Sequence, residues 1–107
     1  MKMGIDYERL GRANAFLAFH LPSSQSRLVF DGRDRLQWMD PRGRLSGPAR
    51  VPDPPDPANR RYWESLALVA VEIAKGAISR EQVREEYPEW VDAQWPEYPP
   101  ASRRVLR

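Results

Sequence analysis

The chain has 107 residues, with 17 basic and 15 acidic side chains, a net charge of +2, and no cysteine. This excludes a disulfide scaffold, a thiolate metal site and a cysteine nucleophile, and the length suits a single domain, 1–107, with one modest core. No signal-peptide pattern opens the sequence, so a cytoplasmic location is expected.

The net charge conceals a polarised chain. Residues 1–50 carry nine basic and five acidic side chains, residues 51–102 five and ten, and the last five residues three arginines. No single-sign field draws nucleic acid from a distance, although a local basic face remains compatible with this pattern.

In chain order, the first expected element is a helix over Asp6 to Leu21. Asp6 suits its N-cap, Leu10, Ala13, Phe16, Leu17, His20 and Leu21 recur near helical spacing, and Pro22 ends it. Gly11 weakens this helix by about 1 kcal/mol relative to alanine, and Phe16 to Leu21 alone also reads as a buried strand. His20, the single histidine, has only the hydroxyls of Ser23, Ser24 and Ser26 nearby in sequence. The bland reading is a helix-end histidine bonded to backbone; the chemical one is a Ser-His pair of a small hydrolase.

From Arg27 the period changes to that of strands. Arg27-Leu28-Val29-Phe30, Arg35-Leu36-Gln37-Trp38-Met39 and Arg44-Leu45 read as an antiparallel meander. Asp40-Pro41-Arg42-Gly43 fits a type I turn with Gly43 in the left-handed bulge position. A two-residue Asp-Gly loop in the first turn would set Val29 opposite Asp34, so a longer loop that matches apolar with apolar is expected. Arg33, Arg35, Arg42 and Arg44 around Trp38 form a candidate basic and aromatic binding surface, because guanidinium groups pair with phosphate while an indole stacks on bases. The alternative is a small sheet that buries Trp38 and shows its arginines to water.

Residues 46–57 are too rich in proline for helix or sheet interior and read as a stiff connector. A central helix follows, with Asp56 and Pro57 at its start and Lys75 and Gly76 at its end. On a helical wheel Tyr62, Trp63, Leu66, Val69, Ala70 and Ile73 share one face, which predicts the core, while Leu68 and Val71 fall outside it and leave room for a homodimer. The run is too short and too charged to span a bilayer.

Ser79 and Gln82 make a capping box, with Ile78 and Val83 as its hydrophobic staple, for a short helix from Arg80 to about Tyr87. Its acidic face argues against a DNA-reading helix-turn-helix. Pro88 to Trp95 adds a further turn or two. Trp90, Trp95 and Tyr98 complete the candidate partner-binding residues, and residues 99–107 read as an extended basic tail. Glu85 and Glu89, four apart, are candidates for acid-base or cation chemistry, but no further ligand spacing supports them.

No glycine-rich phosphate loop, metal-ligand cluster or internal repeat stands out, so no catalytic residue, cofactor or metal is expected. The sequence therefore predicts an α+β domain: an amino-terminal helix, a small antiparallel meander, a central apolar helix and short carboxyl-terminal helices. The function expected is that of a non-enzymatic binding or regulatory protein, of the kind found among bacterial and phage accessory proteins or inhibitors, that covers a surface of another macromolecule. Another protein is the first partner, nucleic acid held by the basic meander the alternative, and the small hydrolase a third reading.

Overall fold

The computed structural model describes residues 6–95, so Tyr98 and the tail lie outside the described residues. The sequence from Tyr7 to His20 forms helix α1, because the Asp6 carboxylate accepts the free amides of Glu8 and Arg9 at its start. Phe16, Leu17 and Leu21 therefore belong to the helix and its cap, not to a strand.

Three antiparallel strands follow in sequential order: β1 (Arg27–Phe30), β2 (Leu36–Met39) and β3 (Leu45–Ser46). The register sets Leu28 opposite Trp38 and Phe30 opposite Leu36, so the first loop spans 31–35 and apolar residues pair across the strands. Both turns use one hydrogen-bond pattern. In the first, Asp31 Oδ1 accepts the amides of Arg33 and Arg35; in the second, Asp40 Oδ1 accepts those of Arg42 and Arg44. The fourth residue of each is left-handed, Asp34 at φ 63° and Gly43 at φ 81°. The pattern Asp-x-Arg-x-Arg-Leu thus occurs twice, at 31–36 and 40–45, and corrects the expectation that the chain lacks an internal repeat.

Asn14 of α1 joins helix to sheet. Its amide donates to the Leu28 carbonyl and accepts from the Leu28 amide, each at 2.9 Å, as a neighbouring strand would. The proline connector then crosses the core under two indoles: Trp38 Nε1 donates to Pro48 O at 3.1 Å and Trp63 Nε1 to Pro52 O at 2.7 Å. The connector opens on a turn, where the Arg50 amide donates to Gly47 O and Ser46 Oγ donates to Arg50 O. The two indole donors, to Pro48 within that turn and to Pro52 beyond it, fix the course of the proline-rich run.

The central helix begins as a 3-10 turn over Pro57–Asn59, capped by Asp56, and continues as α2 (Arg60–Lys75) to Gly76, which is left-handed at φ 73°. Its buried face comprises Trp63, Leu66, Ala67, Ala70, Val71, Ile73 and Ala74. This corrects the wheel at three residues. Val71 is buried and lies beside the connector residues Pro48 to Val51, whereas Tyr62 is 46% exposed and Val69 only half-buried. The connector adds a second wall, which turns the covered face of α2 toward Ala67 and Val71.

Helix α3 (Arg80–Glu86) starts at the complete Ser79–Gln82 capping box, and α4 (Pro88–Gln94) restarts with Pro88 in its first turn, where the missing N–H costs nothing. One apolar cluster unites α1, the sheet, α2, α3 and α4. Phe16 lies at its centre, edge-on to Tyr87 and Trp90 at 5.0 Å each. The Trp90 Nε1 is buried with no hydrogen-bond partner among the described residues, a cost of about 1–3 kcal/mol that ring packing must offset.

Candidate functional site

The proposed binding residues do not converge. Trp38 and Trp90 are fully buried, so neither reaches a partner in this state; they are core residues whose ring packing holds the sheet and α4 in place. Trp95 is half-buried, with its ring edge-on to Trp90, the Arg12 guanidinium 4.7 Å above it, and its carbonyl held by Arg80 Nε at 2.7 Å. Those contacts occupy much of its surface.

The four arginines of the turns are exposed but stand at opposite ends of the sheet, because each turn reverses the chain. β2 between them has four residues, roughly 13 Å at the strand rise, so Arg33 and Arg35 do not share a patch with Arg42 and Arg44. The two ends also differ in charge. Arg35 Nε pairs with Asp31 Oδ2 at 3.1 Å, and Gln37 donates to the same oxygen. The Arg35 amide, with help from the Arg33 amide and the Arg35 side chain, holds the Asp31 carboxyl down to about 2. At the other end, Arg42 and Arg44 form no ion pair among the described residues.

His20 is held through Nδ1 to the Phe16 carbonyl at 2.9 Å and packs its ring against Phe16, Phe19 and Tyr87. Among the described residues no hydrogen bond joins it to a serine; Ser24 and Ser26 bond to the loop instead. Glu85 and Glu89 fall on different helices, since the helix breaks at Tyr87, so their spacing of four does not place them side by side on one helix. Asp92 is engaged by Arg84 at 2.8 Å, which lowers the acid and raises the base. The described residues contain no group of three or more potential metal ligands. None of their helices is long and apolar enough to cross a membrane.

A groove that sequence reasoning only half anticipated offers a better-formed site. It lies between connector residues Pro48, Ala49, Arg50 and Val51 and the α2 residues Glu64, Ala67, Leu68, Val71, Glu72 and Lys75, and encloses about 710 Å³. Leu68 is 63% exposed on it, while Ala67 and Val71 form a buried apolar floor. Arg50, Glu64, Glu72 and Lys75 supply charges of both signs around that floor. The far wall is fixed on either side by the indole bonds to Pro48 and Pro52, so the opening exists before any ligand arrives. The signal in the sequence was Leu68 off the core face; the wall that makes a groove of it comes from the connector, which only the tertiary fold places there. No protein-family model, curated protein or solved structure matches this chain.

Proposed function

We propose that this chain is a non-enzymatic binding protein that acts by covering a surface of another protein, with the α2–connector groove as its contact. The observation that carries this reading is Leu68, a large apolar side chain left exposed on a preformed groove with a buried apolar floor. Interfaces draw most of their energy from a few apolar or aromatic anchors in such recesses, with charges of both signs on the rim setting the register.

The charge pattern favours a different protein over a second copy. A twofold pairing of α2 centred on Leu68 sets either Glu64 opposite Glu72 and Arg61 opposite Lys75, or each of these residues opposite its own counterpart, and both arrangements bring like charges together.

Pull-down from a native lysate, followed by mass spectrometry, compares the wild-type protein with Leu68→Arg. Exposed Leu68 tolerates the change, so the variant folds, yet its specific partner is lost, with an expected cost to binding of about 2 kcal/mol or more. Retrieval of the same partner by both proteins overturns the reading, and a doubled mass in light scattering that Leu68→Arg abolishes assigns the groove to a homodimer instead.

A further inference from the structure

We propose that the end of the sheet formed by Arg27, Arg42 and Arg44 is a second binding site, one that grips the phosphodiester backbone of nucleic acid without reading its sequence. The site is separate from the α2 groove and does not rest on it.

The turn at 40–44 explains its own aspartate, proline and glycine but not its arginines. Asp40 Oδ1 accepts the backbone amides of Arg42 and Arg44, and the Gly43 amide donates to Asp40 O, so any side chain at positions 42 and 44 satisfies the turn. The register brings a third arginine to this end, because Arg27 of β1 lies opposite Met39, the residue before Asp40. Arg27 donates to the Met39 sulfur at 3.9 Å, and none of the three guanidiniums forms an ion pair among the described residues. Arg27 shares its row with Met39 and Leu45, and Arg44 comes one residue before Leu45, opposite Asp40. The two arginines therefore lie roughly 10 Å apart at one end of the sheet but start from opposite faces, and a ligand engages both by passing round that end.

The equivalent turn at 31–35 is an internal comparison. There Arg35 is bonded to Asp31 and a second carboxylate, Asp34, lies beside it, so that end is close to neutral. The same backbone device thus carries one pair of arginines matched by two carboxylates and one end where three arginines share the single carboxylate of Asp40.

The nature of the ligand follows from exposure. Arg42 and Arg44 stand on a hairpin tip in water, where a single small anion is screened and weakly held. A polymer with an anion on every unit offers partners to all three guanidiniums in any register, and the planar guanidinium fork matches phosphate oxygens two at a time. An acidic protein surface needs its carboxylates placed to match, which makes it the less favoured ligand.

Fluorescence anisotropy with a short labelled random-sequence duplex, titrated over a range of salt, tests the site. Three phosphate contacts predict a slope of log affinity against log salt of about −2.7. Arg42→Ala with Arg44→Ala reduces its magnitude by about two, Arg27→Ala by about one, and Arg33→Ala leaves it unchanged. The charge-preserving pair Arg42→Lys and Arg44→Lys retains the slope, which separates loss of charge from loss of the turn. Binding that is absent, or reduced equally by Arg33→Ala, overturns the proposal. Competition by poly-glutamate as effective as that by unlabelled duplex overturns the choice of nucleic acid and assigns the site to an acidic protein surface.

Discussion

Trp38 of β2 and Trp63 of α2 meet edge-on with ring centroids 5.6 Å apart, and each donates its indole N–H to a proline carbonyl of the same connector. One contact thereby ties sheet, helix and connector together. Replacing Trp63 by Phe keeps most of the ring and removes the donor to Pro52, which leaves a part-buried carbonyl unpaired. A loss of about 1–3 kcal/mol is expected in denaturant unfolding, together with faster proteolysis within 48–55. A connector as resistant as in the wild type would show that the bond does not hold it.

Leu66 and Leu68 stand two residues apart on α2, one fully buried and the other exposed. Leu66→Ala should cost about 2–5 kcal/mol, through lost burial and the cavity left behind, whereas Leu68→Ala should stay within about 0.5 kcal/mol. Comparable shifts in melting temperature for the two variants would contradict the orientation of the helix.

Asn14 can serve both backbone groups of Leu28 only because an amide carries a donor and an acceptor. Asn14→Asp keeps the acceptor and turns the donor into an oxygen facing the Leu28 carbonyl, at a cost of about 1–3 kcal/mol near neutral pH. Protonation restores a donor, so the folded state raises the pKa of the new acid. The stability deficit should therefore shrink as pH falls, visible as a narrowing difference in melting temperature from the wild type.

Asp31 responds to acid in the opposite sense. Its folded pKa is about 2 against an ordinary 3.8, so the stability it lends is fully present above 3.8 and is lost as pH falls through about 2. Carboxyl chemical shifts should give a midpoint near the lower value, with the Arg33 and Arg35 amide signals moving alongside. Titration at the ordinary value would mean that these amides do not hold the carboxylate.

Much of the fold was legible because its signals are local. Asp6, the Ser79–Gln82 box and Gly76 each act within a few residues of themselves, and the apolar matching of Leu28 with Trp38 and Phe30 with Leu36 chooses the register between adjacent strands. The binding surface was less legible because it depends on where distant segments land. A wheel weighs α2 alone, so it could not know that the connector covers Val71 and leaves Tyr62 half in water. Trp38 and Trp90 looked like anchors in a basic meander and an acidic rim, yet burial is settled by neighbours remote in sequence. The repeat escaped notice because its left-handed position is aspartate in one copy and glycine in the other, although both serve the same geometry.

The two flanks of the small sheet are limited by different means. On β1 the side chain of Asn14 occupies the amide and carbonyl of Leu28, the groups an incoming strand would seek. On the other side β3 is only two residues long, and Pro48 stands just after it with no amide to prolong the ladder and with its carbonyl taken by Trp38. A three-stranded sheet with open margins is a template for recruiting strands from other molecules and for aggregation; here a helix side chain on one flank and a two-residue edge strand cut short before Pro48 on the other limit that growth.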